Sequence, residues 1–421
     1  MKKIILSALV AMVLAACAKE EATIAKIEEV KNPYAVTTDE AVQLLQTVIG
    51  GESTRAISVG EIKTLRKSDF VPTTRGADDG DLIYIVDLEN GGSAIMGADK
   101  RMEPIYAILD ETKVSPEQLT LTATRSDDGE QDIEEYLMGL VNNKIQVDVM
   151  GFEHTLPEMP IVPRPQYVTV TTQLGSKAPL LETKWGWGAP YNNMFASSLV
   201  CKCMSPIAIA QLFYYYQQPN SLNGYTFDFN LISQCEYGQT PSSLAAAEVS
   251  KLVYAIVQYG GYTGGELKFY RGEVTSIFNG AGYSATGFTS ANSMATDNNF
   301  VKTELNNNKP ILMSATNVLG EAIYEYWIID GYNFYRKDVY LREYDPLGSG
   351  LYTDTLQSST TYNLCHCNYG RFGVCDGYYS AGVFDLTSQL SNSNINTSIG
   401  DVAGTANINY SSNIAYLIYS M

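Results

Sequence analysis

Residues 201–219, "CKCMSPIAIAQLFYYYQQP", place two thiols, Cys201 and Cys203, just ahead of a run opened by Pro206. Proline suits the first turn of a helix, where its missing N–H costs nothing. Ala208 and Ala210 are small enough to let another segment pack close to such a helix. A cysteine at a helix N-terminus has its pKa lowered, and beside an imidazolium it becomes a thiolate nucleophile. His366, in "CHCNYG", offers an imidazole.

The chain has seven cysteines. Cys17 stands near the start, whereas Cys201, Cys203, Cys235, Cys365, Cys367 and Cys375 lie in the C-terminal half. An even set in an exported chain points first to disulfides, with fifteen pairings open to six cysteines. A staple from Cys201 or Cys203 to Cys365 or Cys367 would contribute ~2–4 kcal/mol. The two C-x-C spacings also suit a soft metal, although zinc sites more commonly use C-x₂₋₄-C, so no metal is expected. No cofactor is expected either. The glycines of "VIGGES" and "YGGYTGGE" lack the Lys and helix of a phosphate cradle and read as turns.

These residues sit in a chain of 421, long enough for two or three domains, with 30 Tyr, 34 Gly and a formal charge of −18. The acidity argues against nucleic-acid binding, which needs a basic footprint. Lys2 and Lys3 precede "IILSALVAMVLAA", an apolar stretch shorter than the ~20 residues of a membrane helix. It ends in "LAAC", which resembles a bacterial lipobox, the thiol of Cys17 receiving a diacylglycerol; a plain secretory signal with a chance cysteine is the alternative. The following "AKEE" resembles the charged tag that sends lipoproteins to the surface of Bacteroidetes-type bacteria. The expected location is the outer membrane, on the cell surface, through the lipid anchor only.

"TTDEAVQLLQTVIGG" reads as a helix, with a capping Thr, acidic residues in its first turn and Gly at its end. "DLIYIVDLENGGSAIMGADKRMEPIYAIL" alternates apolar and polar residues around an Asn-Gly-Gly turn, as a hairpin with a third strand. "TATRSDDGEQDIEEYLMGLVNN" is an acidic stretch and then an amphipathic helix. The Pro-rich residues 154–166 read as an exposed linker. Near the end, "TSQLSNSNINTSIGDVAGTANINYSS" reads as a long functional or disordered loop.

Several segments, in order, resemble the streptopain-like cysteine peptidases. "PLLETKWGWGAPYNN" is similar to their opening segment, "CMSPIAIAQLFYYYQQP" to the nucleophile helix, and "KTELNNNKPILMSA" to the strand before the catalytic histidine. "WIIDGYN" resembles the strand after that histidine, and "CHCNYGRFGVCDGYYSAGVFD" the segment with the catalytic asparagine. "GGSAIMGADKRMEPIYAIL" resembles the family's inhibitory prosegment. The resemblance implies an α+β chain, with a papain-like peptidase fold behind a small α+β prosegment-like domain. The expected division is a signal peptide at 1–17, a tether at 18–31, a prosegment-like domain at 32–150, a linker at 151–170 and a peptidase-like domain at 171–421.

The same resemblance places Met204 where the family has its nucleophile, seven residues before Gln211, with Cys203 in the preceding glycine position. Glu325 falls where the family has its histidine, and Trp187 where it has the glutamine of the oxyanion hole. A thioether cannot attack a carbonyl, and a carboxylate raises rather than lowers a neighbouring thiol's pKa. Asn368 keeps the family's asparagine; Tyr369 and Arg371 stand where tryptophans are usual. The expectation is therefore an inactive homologue that binds a protein or peptide. Two alternatives stay open: an active peptidase with Cys203 as shifted nucleophile and His366 as base, and a disulfide- or metal-stapled structural protein.

Overall fold

The computed structural model describes residues 34–49, 58–70, 80–89, 91–120, 133–153, 166–197, 199, 201, 204–236, 238–264, 267–290, 298–316, 324–344, 352–384 and 412–421. Cys17, Cys203, residues 154–165 of the Pro-rich passage and the Ser/Asn-rich residues 385–411 fall outside them.

The strands are β1 (Val59–Arg66), β2 (Asp81–Leu88), β3 (Ser93–Gly97), β4 (Ile105–Leu109), β5 (Gln166–Lys177), β6 (Ser221–Leu222), β7 (Tyr225–Thr226), β8 (Ser284–Ser290), β9 (Ile311–Thr316), β10 (Tyr324–Tyr344), β11 (Tyr352–Asn368), β12 (Gly377–Ser380) and β13 (Ser412–Ser420). Eleven of them form one antiparallel sheet, ordered β1-β2-β3-β4-β12-β11-β10-β9-β13-β8, with β5 added alongside β10. Helix and sheet are thus mixed in one chain, as the sequence suggests.

The hairpin β2–β3 and its third strand β4 form where the Asn-Gly-Gly turn places them. Their side chains do not alternate between core and water. Every residue of β2 after Asp81 is buried, because both faces of this sheet are covered. Ala41, Leu45 and Val48 of the Thr38–Ile49 helix pack on one face, against Tyr84, Val86 and Met96. Leu137, Val141 and Ile145 of the Ile133–Glu153 helix pack on the other, against Ile83, Ile85 and Ile95. A strand buried on both faces reads as a nearly continuous apolar run, and "LIYIV" is one.

The N-terminal strands join the C-terminal ones edge to edge. Gly377, Tyr378 and Tyr379 of β12 pair with Leu109, Ile108 and Ala107 of β4. Gly377 is the residue this approach demands: it has φ +156°, and an added Cβ would lie 2.3 Å from the Ile108 carbonyl oxygen.

The Ser205–Tyr216 helix has Pro206 in its first turn, as expected, and is enclosed. Its first nine residues, Ala208 and Ala210 among them, are buried with the Ser243–Tyr259 and Arg271–Gly280 helices in a second core. Such all-round burial suits a helix that is apolar on every side.

Candidate functional site

Met204 is the residue just before this helix; its side chain is buried and makes no capping hydrogen bond. The N-terminus of a helix concentrates unpaired N–H groups and favours an anion. Here the anion is Glu325, the second residue of β10, whose carboxylate accepts a hydrogen bond from the Met204 backbone N–H. Glu325 is only 2% exposed. Its other support is Arg371, whose Nη2 lies 3.2 Å from Glu325 Oε1. Burial pushes the Glu325 pKa up, and the Arg371 guanidinium and the Met204 N–H oppose that push without cancelling it.

Asn368 ends β11 close by, held on all sides. Its side-chain oxygen accepts from Gln211 Nε2 at 3.0 Å and from the Gly370 N–H at 3.0 Å. Its amide nitrogen donates to the Thr183 carbonyl at 2.8 Å. Gln211 is fully buried on the helix, and its own oxygen accepts from the Trp185 N–H at 3.4 Å. The asparagine therefore fastens the helix to β11 and to the segment after β5, with no imidazole among these partners.

Trp187, half-buried in that segment, donates its indole N–H to the Leu199 carbonyl at 3.2 Å and packs against Phe195. Its one donor is thus committed. Phe372 seals the neighbouring turn: an added Cβ on Gly186 or Gly188 would fall 2.5 Å or 2.8 Å from its ring. Tyr369 is buried against Trp327 and Tyr379, and its backbone N–H donates to Asp376 at 2.8 Å.

His366 does not join this group. Its Nδ1 lies 2.6 Å from Asp330 and its Nε2 3.0 Å from Asp110, at the end of β4. Carboxylates accept, so both ring nitrogens donate, as an imidazolium does. Burial pulls the His366 pKa down, but the two carboxylates outweigh it and hold the ring well above its usual value. Asp330 is fully buried and also accepts from the Leu181 N–H at 3.0 Å. A charged imidazole with both nitrogens engaged has no lone pair with which to take a proton. The expectation of His366 as a general base is corrected on that ground, and Cys203, its expected partner, lies outside the described residues.

The cysteines depart from expectation as well. Cys235, Cys365 and Cys367 are buried free thiols, so the staple to Cys365 or Cys367 is not formed. Burial raises the thiol of Cys235 to about 11 and that of Cys365 to about 12, which leaves both protonated and unreactive. Cys201 and Cys375 are buried too, and the Cys201 backbone pairs with that of Leu267 in an isolated parallel β-bridge. Among the described residues, no cluster of His, Cys, Asp or Glu has the makings of a metal site.

The roles of two residues do not show in the sequence. Arg371 stands where the resemblance expects a tryptophan, and its pairing with Glu325, 46 residues away, has no local signal in the sequence. Gln211 served only as a counting mark, yet it holds Asn368 in place.

No protein-family model matches the chain, and no curated protein matches it. A solved structure, a mutant fragment of prointerpain A from Prevotella intermedia, is similar to it over 85% of this chain and 100% of that chain. The identity is 13% and the TM-score 0.48. That likeness assigns no residue a role. No described helix is long and apolar enough to cross a membrane.

Proposed function

We propose that this chain is a streptopain-like protein that has exchanged thiol proteolysis for binding of a protein or peptide, and that a lipid on Cys17 holds it at the cell surface. The observation that carries the reading is the Met204–Glu325–Arg371 group. The anion that the helix N-terminus favours is a buried carboxylate already neutralised by a guanidinium, where a peptidase of this kind would need a thiolate beside an imidazolium. Trp187 spends its indole N–H on Leu199, so it does not serve a developing oxyanion. Loss of nucleophile or base alone costs several powers of ten in rate.

Residues 32–150 are expected to stay attached rather than be removed. In support, β4 pairs with β12, Asp110 holds His366, and the Cys375 N–H donates to Thr112 at 2.9 Å. A processed form lacking the chain up to about residue 165 in the native host would oppose this.

The test is labelling of the purified chain with a thiol-reactive peptide probe, beside Cys203→Ala. No labelling above the alkylated control is expected. Labelling that disappears in Cys203→Ala would establish an active thiol and overturn the reading.

A further inference from the structure

The hairpin of β10 and β11 runs far beyond the body of the sheet. The two strands pair from Ile328↔Asn368 out to Tyr344↔Tyr352, with register shifts at Asp330 and at Gln357. On the β10 side, β9 and then β5 pair with it along most of its length. On the β11 side, β12 pairs only with residues Leu364, Cys365, His366 and Cys367. Among the described strands none pairs with the outer edge of β11 from Tyr352 to Asn363. All ten residues from Tyr352 to Thr361 are exposed.

An open strand edge presents a row of backbone donors and acceptors to any other strand. Proteins usually protect such an edge with lysine, proline, shortness or a bulge. This one, "YTDTLQSSTTYN", contains no Lys, Arg or Pro. Its one charge, Asp354, is bound by Arg342 at 2.7 Å and 2.8 Å, and Arg342 also stacks on Tyr352. Its one irregularity is a register shift at Gln357.

We propose that this edge is a dimer interface, at which β11 of one copy pairs antiparallel with β11 of a second copy. Charge argues for a second copy here. Two chains of −18 repel almost everywhere, and they can approach along a stretch whose only carboxylate is already neutralised. The position of β12 fixes the register. A partner strand cannot continue past Asn363, where β12 begins to pair, so the twofold axis falls near Gln357 and Ser358. Tyr352 then faces Asn363 of the partner subunit, Thr353 faces the partner's Tyr362, and Thr355 faces the partner's Thr360. Asp354 meets a threonine rather than another Asp354. Thr–Thr and Thr–Tyr cross-strand pairs favour such an arrangement, whereas like charges would oppose it. A twofold, self-complementary contact closes at two copies. This inference is independent of the proposed function, since no residue of it touches the Met204–Glu325 group.

The test is light scattering of the purified chain over a hundredfold concentration range, beside Thr355→Lys/Thr360→Lys. The wild type is expected to reach twice the monomer mass, and the variant, with lysines placed opposite one another across the axis, to remain monomeric with unchanged circular dichroism. Under oxidising conditions Gln357→Cys should yield a covalent dimer that Leu174→Cys, on β5, does not. A wild type monomeric throughout, growth into larger open assemblies, or a lysine variant that still dimerises would each overturn the proposal.

Discussion

Removing the guanidinium that faces Glu325 tests how the site is held together. In Arg371→Met the Glu325 carboxylate stays buried at 2% exposure, with only the Met204 N–H opposite it. Deleting one partner of a buried ion pair costs about 3–5 kcal/mol, chiefly because the other charge is stranded. A quarter of the Arg371 side chain is open to water, so solvent recovers part of that loss. The expected destabilisation is about 2–3 kcal/mol at pH 7.5. In Glu325→Gln/Arg371→Met no charge is stranded, and the cost should fall to about 1 kcal/mol or less. The pH dependence has a definite sign. Loss of Arg371 raises a Glu325 pKa that burial already holds above its ordinary value. The variant's deficit is therefore largest where the acid is ionised and shrinks as pH falls through the raised folded value. Urea denaturation of the three proteins at pH 7.5 and pH 5 measures this. A single variant as stable as wild type, or a double variant as unstable as the single one, would refute the reasoning.

Stability of the whole chain should fall between pH 5 and pH 8. Burial raises Glu103 and Asp376 to about 7, so folding favours their protonated forms; the stability present at low pH is lost as pH rises through 7. Each corresponds to about 3 kcal/mol across that window. His366 acts in the same direction, its contribution being complete below its ordinary pKa and lost as pH passes its raised folded value. Lys337, lowered to about 8 by burial, regains stability only above pH 8. A denaturation midpoint that stays level or rises from pH 5 to pH 8 would contradict this. Gly186→Ala should cost roughly 1–3 kcal/mol by pressing on the Phe372 ring, and adding Phe372→Ala should abolish that increment; equal losses in both backgrounds would show the clash is not the cause. Asn368→Ala strands the Thr183 carbonyl and the Gln211 amide and should cost roughly 1–3 kcal/mol in thermal or urea melts; an unchanged midpoint would show that water replaces it.

Local features were legible where a residue's role is decided by its neighbours in sequence. Thr37 and Glu40 cap the first helix with reciprocal bonds, as "TTDE" suggests. Pro206 marks the first turn of the second-core helix. What escaped was set by distance along the chain. Asp110 reaches His366 across 256 residues, and nothing near either one signals the other. A histidine that looks available as a base is, in the fold, a charged tie between β4 and β11. The β10–β11 arm was missed for another reason. "NFYRKDVYLREY" mixes charge into its alternation, and its length follows from pairing with β5 and β11 rather than from its own composition.

Hydrolysis of casein and of fluorogenic peptides by the purified chain, with and without cysteine alkylation, tests the central claim most directly. On the proposed reading, in which Met204 and Glu325 stand where a thiolate and an imidazolium would be needed, turnover should equal the buffer blank and ignore the alkylating reagent. Turnover above the blank that alkylation abolishes would contradict it.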